Sequence, residues 1–244
     1  MYSGHGGLSW QVVRKQIELI LGDLDHVDIQ LYEPTAQYQN VTKQTSLIKL
    51  TPARALIIEL VRRYWILGVE CSLLEVQKLA WFLERSIKIF VPELSLKFKF
   101  KPHYYGPYAD NLRYLLGALD GNYLRCEKRI NDAKPFDVIW FDNDHQKQLQ
   151  TYLESDEMRP YSEALEFTSK LIDGFESPFE MELLATIDWL IEMEQCPPNA
   201  DSLLKGLQDW KHPEAAKRKV RLFDRHAIAV ALKRLETIKP ENPR

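Results

Sequence analysis

The sequence predicts a mainly α protein with a small antiparallel β-sheet, an α+β fold in which a helical C-terminal domain follows an incomplete α/β fragment. Three observations carry this. Helix starts are marked by capping residues at Thr51-Pro52, in SLLE at 72–75 and in SPFE at 177–180. Strand signals are few: LSLKFKFK at 94–101 alternates strictly, and NYLRCEKR followed by FDVIWFD reads as a pair of short strands. Residues 1–34 read as a glycine loop, a helix capped by Ser9 and a strand over Val27–Tyr32, too little to bury both faces of a strand.

Each element follows from its pattern. In the first helix Trp10, Val13, Ile17, Ile20 and Leu24 recur at three- and four-residue intervals and form one apolar face. The polar, aperiodic stretch 35–50 is a linker. The next helix has Pro52 at its first position, a buried stripe of Leu56, Leu60, Tyr64 and Leu67, and Gly68 at its end. In the helix after Ser72, Leu74, Lys78, Trp81 and Arg85 share one face and Val76, Leu79, Ala80 and Leu83 another. The lysines of 94–101 face outward from a half-buried strand and guard its edge. YYGPY at 104–108 is a turn in which Gly106 frees the backbone and Pro107 presets the first turn of the helix ADNLRYLLGAL. At least one of its tyrosines belongs to the core. Helices follow at about 144–154, 160–174 and 178–194, and two more at about 201–210 and 225–237, with a basic turn between them.

Of 244 residues, 45% are hydrophobic, enough for a real core. Three widely spaced cysteines, Cys71, Cys126 and Cys196, argue for a reducing compartment. No run approaches the roughly 18 apolar residues of a membrane span, and no signal peptide opens the chain. Both point to the cytoplasm. The net charge of −3 conceals a polarity: 151–200 carries twelve acidic and two basic groups, whereas 201–244 carries eleven basic and six acidic. The blocks either neutralise one another, or the acidic one faces a basic partner. The basic tail permits phosphate contacts of a DNA-binding regulator.

Catalysis has no local signature. His5, His26, His103, His145, His212 and His226 are isolated, and no HExxH, GxSxG, Walker or Rossmann pattern occurs. Glu192 and Glu194 stand at i and i+2 of a helix and cannot converge on one atom.

The pieces SGHGGLSW, LTPARALIIELVRRY, SLLEVQKLAWFLE, YYGPYADNLRYLLGALDGNYL and GFESPFEMELLATIDWL, in this order, resemble the DarG antitoxins of DarT/DarG toxin–antitoxin systems. The resemblance touches most of the chain up to about residue 195. It implies that 1–34 is the end of a macrodomain that removes ADP-ribose from thymidine in DNA, that 35–50 is a linker, and that 51–244 is the toxin-binding domain. It implies a DarT-like DNA ADP-ribosyltransferase as partner, neutralised in part by acidic imitation of DNA. Gly4, Gly6 and Gly7 match the family's phosphate-side loop, while His5 and Ser9 depart from it. Toxin-binding candidates are Tyr104, Tyr105, Tyr108, Asn111, Arg113, Glu163, Glu166, Asp173, Glu176 and Glu180. On this reading the chain as given is an inhibitor and not an enzyme, with no cofactor, ADP-ribose being a ligand of a longer parent. The alternatives are part of a DNA ADP-ribosyl glycohydrolase, or the DNA-binding regulator.

Overall fold

The computed structural model describes residues 10–22, 48–66 and 68–237. It is mainly α with small antiparallel sheets, as the sequence predicts. The chain divides into two compact units, 1–39 and 40–244. In the first, α1 (Trp10–Leu21) buries Val13 and half-buries Ile17. Ile20, expected on the same face, is 71% exposed. Gly4, Gly6 and Gly7, the expected strand 27–32 and most of the expected linker lie outside the described residues.

The second unit is built around a helix hidden on nearly every side. α2 (Pro52–Ile66) starts at the expected proline, and Gly68 beyond it takes a left-handed φ of +75°. Leu56, Leu60 and Tyr64 are buried as expected, but so are Ala55, Ile57, Ile58 and Val61, so the helix is a core element and not a one-sided one. β1 (Cys71–Ser72) leads directly into α3 (Leu73–Phe90). Ser72 caps α3 with the full reciprocal box: its Oγ accepts from the Glu75 N–H, and the Glu75 carboxylate accepts from the Ser72 N–H at 2.7 Å and its hydroxyl at 2.6 Å. The Tyr64 hydroxyl donates to the same carboxylate. Burial still pushes the Glu75 pKa up, because these donors only partly replace lost water.

Beyond α3 the chain departs from the pattern. The alternation of 94–100 survives as alternating exposure, yet only β2 (Phe100–His103) is a strand. Lys97 adopts a φ of +63°, and the Asn111 side chain supplies the missing ladder, its Oδ1 accepting from the Lys99 N–H and its Nδ2 donating to the Lys97 carbonyl. β3 (Gly106–Ala109) pairs antiparallel with β2. Pro107 is therefore a strand residue opposite Pro102, not the first turn of a helix, and the hairpin turns at Tyr104-Tyr105. Neither proline has an N–H to give, which a two-stranded hairpin tolerates. α4 (Asp110–Leu119) follows, with Leu112, Leu116 and Leu119 buried.

β4 (Leu124–Cys126) and β5 (Val138–Phe141) form the expected pair, and β1 adds to the other edge of β5. α5 (Gln146–Leu153), α6 (Ser162–Ile172) and α7 (Pro178–Glu192) fall where expected, the last capped by Ser177 with Pro178 and Glu180 in their anticipated roles. α8 (Ala200–Gln208) and α10 (Arg225–Thr237) were also legible. The basic turn between them is in fact a helix, α9 (Pro213–Leu222), with proline at its start and Ala215, Ala216 and Lys219 inside. Charge masked its narrow apolar face. α3 packs against α6, α7 and β3, and α10 against α7 and α8. No helix among the described residues is long and apolar enough to cross a membrane.

The buried cap makes a direct prediction. Ser72→Ala removes both hydrogen bonds of the hydroxyl with Glu75, one of them the cap, and keeps the one from the Ser72 N–H. It should lower unfolding stability by about 1–2 kcal/mol in urea titrations with no change in m.

Candidate functional site

The YYGPY hairpin is the meeting point of α3, α7 and α9. Gly106 has a φ of +90°, and a Cβ there would lie 2.8 Å from Thr186 Oγ1, so glycine is required twice over. Beneath it Lys78, fully buried, donates from Nζ to the Pro107 carbonyl at 2.9 Å. Gln77 clasps Ala109, its Nε2 donating to the Ala109 carbonyl and its Oε1 accepting from the Ala109 N–H at 2.9 Å. The Trp210 indole donates to the His103 carbonyl.

A charged cluster lies behind the hairpin. The buried Glu182 of α7 accepts from Arg218 Nη1 at 2.6 Å and Lys219 Nζ at 2.7 Å. Lys219 is completely buried, also donates to Thr186 Oγ1, and lies over the Trp210 ring at 5.0 Å. Arg218 lies over Tyr105 at 5.0 Å and Tyr104 at 5.7 Å. Burial lowers the Lys78 pKa to about 7, with Glu182 opposing and Lys219 reinforcing the shift. Burial, with His212, Lys78 and Lys101 nearby, pushes His103 below its usual value.

A cavity of about 260 Å³ opens here, lined by Lys78, Tyr105, Tyr108 and Arg113, with Leu73, Leu74 and Pro135 among its apolar walls. Three of the candidates read from sequence thus meet. Tyr104, Tyr105 and Tyr108 are all half-buried, so none is the core residue expected. Tyr104 and Tyr105 pack edge to face, and Tyr105 meets Phe136, which is 55% exposed. Asn111 has the structural task given above.

The acidic candidates occupy other ground. Glu163 and Glu166 lie exposed on α6, the latter paired with Arg63 at 2.5 Å. Asp173 is exposed after α6. Glu176 accepts from the Gly174 N–H, and Glu180 from the Ser177 hydroxyl. Asp173 and Glu176 border a separate cavity of about 350 Å³ with Arg63 and Lys170, so its charge is mixed. A third and larger cavity, about 820 Å³, has Trp81, Phe98 and Phe100 among its lining. There the buried Asp188 accepts from Trp81 Nε1 and pairs with Arg85; burial raises its pKa to about 6 despite Arg85.

Sequence reasoning missed Lys78, Glu182, Lys219 and Phe136. A lysine flanked by Leu74 and Trp81 on an apolar helix face was the available signal for Lys78. Lys219 was hidden in the run KRK, and Glu182 looked like one acid among twelve.

No protein-family model matches the chain. The chain is similar to a protein named DNA ADP-ribosyl glycohydrolase from Thermus aquaticus, 31% identical over 249 residues, covering 98% of this chain and 63% of the relative. Proteins of the same name from Mycobacterium bovis and Mycobacterium tuberculosis are each 29% identical, covering 95% of this chain and 65% of theirs. The chain thus spans less than two thirds of the length of these curated relatives. They overturn one expectation. The chain was expected not to be an enzyme because the resemblance implied that it holds only the end of a macrodomain; relatives bearing an enzyme's name match nearly all of it, which points to an enzyme.

Two outcomes follow from the buried charges. Glu182→Ala strands Lys219 and should cost about 3–5 kcal/mol in chemical denaturation. Because the folded Lys78 pKa lies below its unfolded value of 10.5, the unfolded chain binds more protons above about pH 7. Lys78 therefore penalises folding most below pH 7, and its contribution makes stability rise between pH 7 and 10. In urea titrations at pH 7.0 and 9.5, Lys78→Met should gain most at the lower pH and flatten that rise.

Proposed function

We propose that this chain belongs to the DarG-like DNA ADP-ribosyl glycohydrolases, acts in the cytoplasm as part of an enzyme that releases ADP-ribose from DNA, and binds a DarT-type ADP-ribosyltransferase through its 40–244 unit. The observation that carries this is the relationship at 29–31% identity across 95–98% of the chain, under one enzyme name in three organisms. The hairpin face supports the binding role. Its rings stand on a backbone held by Gln77 and Lys78 of α3 and by Trp210, so little ordering cost remains on association. Phe136, packed on Tyr105 and 55% exposed, adds apolar area of the kind that anchors protein interfaces. Exposed Glu163, Glu166 and Asp173 supply negative charge suited to a basic DNA-binding cleft, which would be read as imitation of phosphates.

The test is co-expression with a DarT-type transferase, followed by affinity measurement and by release of ADP-ribose from a modified thymidine-containing oligonucleotide. Paired Tyr105→Ala and Phe136→Ala substitutions should weaken the protein complex at least tenfold with the melting transition retained. Glu163→Gln with Asp173→Asn should reduce its salt dependence. Wild-type chain that neither retains the transferase nor releases ADP-ribose sinks the proposal.

A further inference from the structure

The cavity under the hairpin has a charge imbalance that the chain itself does not resolve. Among the described residues, Lys78 makes one hydrogen bond, to the neutral Pro107 carbonyl, although an ammonium has three donors. Arg113 donates from Nη2 to the carbonyls of Asn131, at 2.6 Å, and Ala133, at 3.1 Å, and pairs with no carboxylate among the described residues. The carboxylate on the cavity wall, Asp110, is already paired with Lys101. Glu182, the nearest acid behind Lys78, is shared between Arg218 and Lys219. Lys78 and Arg113 thus line one cavity with no carboxylate paired to either among the described residues, and Lys78 is buried completely. A buried charge without a partner is costly, and an anion brought from outside would relieve that cost.

The remaining lining says what kind of anion. About 260 Å³ is below the range of sites that hold drug-sized ligands, and it admits one short group but not a nucleotide. Leu73, Leu74 and Pro135 offer apolar wall to a methylene stem, and Tyr105 and Tyr108 frame the opening. A phosphodiester would carry two nucleosides that this space excludes. We infer that the cavity is a carboxylate receptor, formed by Lys78 and Arg113, that takes one acidic side chain presented by a partner protein. The inference rests on the reading that the hairpin face binds a protein, and it names the contact.

Binding should be linked to protons. Lys78 is faced by Glu182 of α7, Lys219 of α9 and His103 of β2, with Asp110 and Arg113 of α4 across the cavity. A bound carboxylate adds the negative charge this set lacks and raises the Lys78 pKa, so above pH 7 the complex takes up a proton.

The test is titration of the full chain with sodium glutarate, and separately with inorganic phosphate, followed by NMR shift changes and by calorimetry in buffers of different ionisation enthalpy. Expected is saturable glutarate binding, several-fold tighter at pH 6.5 than at pH 8.5, with net proton uptake at the higher pH. Lys78→Met and, independently, Arg113→Gln should each weaken it at least tenfold, and Lys78→Met should abolish the uptake. Absence of saturable glutarate binding up to 100 mM, or tighter binding of phosphate, overturns the assignment. Retention of a DarT-type transferase by wild type and both variants alike would leave the protein-binding reading standing and remove this contact from it. Glutarate binding through Lys78 and Arg113 with no transferase retained would do the reverse.

Discussion

Helix α3 is buried around almost its whole circumference, and the polar side chains it carries must therefore find partners inside the protein. Each partner lies on a different neighbour. Glu75 closes the cap with Ser72 and meets Tyr64 of α2. Gln77 and Lys78 hold the hairpin, Trp81 reaches Asp188 of α7, Glu84 accepts from Ser95 and Leu96, and Ser86 accepts from Thr168 of α6. Apolar packing alone would let these elements slide, whereas a buried donor or acceptor left unmatched costs about 1–3 kcal/mol. The register of the fold around α3 is fixed by that penalty.

The hairpin inherits this constraint. Held from below by Lys78 and Gln77 and from behind by Trp210, it presents its rings without freedom to rearrange. The same arrangement concentrates positive charge. Lys78, Arg218 and Lys219 gather near one acid, Glu182, and burial first, with Lys219 reinforcing it, takes the Lys78 pKa down to about 7. Support for the surface and the capacity of its cavity to receive an anion are thus two consequences of one packing arrangement.

The opposed charge blocks of the sequence also acquire a physical account. Glu182 binds Arg218 and Lys219, Asp201 pairs with Arg225, and Arg234 bonds the carbonyls ending α6. Lys219 is thereby internal and Arg218 and Arg234 part-buried, whereas Lys205, Lys211, Lys217, Arg221, Arg225 and Lys233 stay exposed. Of the block's twelve acids only Glu182 and Asp188 are buried, so its acidic character stays largely on the surface.

Local signals determined much of this protein. The caps at Thr51, Ser72 and Ser177, the glycine ending α2, the strand pair 124–126 and 138–141 and most helices were readable, because each depends on residues within one or two turns. The relationship to glycohydrolases was readable in the order of motifs. Tertiary structure alone decided the rest. Pro107 became a strand residue because Lys101 and Tyr108 pair across the hairpin. The stretch 94–99 lost its ladder because Asn111, twelve to fourteen residues away, takes the ladder's place. The basic run 217–219 became a helix that buries Lys219 because Glu182, thirty-seven residues earlier, meets its charge. Periodicity registers whether a position is apolar; it carries no information about which distant partner makes a polar one inhabitable. For the candidate site that partner geometry is nearly everything: YYGPY announced a turn and its rings, but the cavity exists only where α3, α4 and the hairpin are folded together.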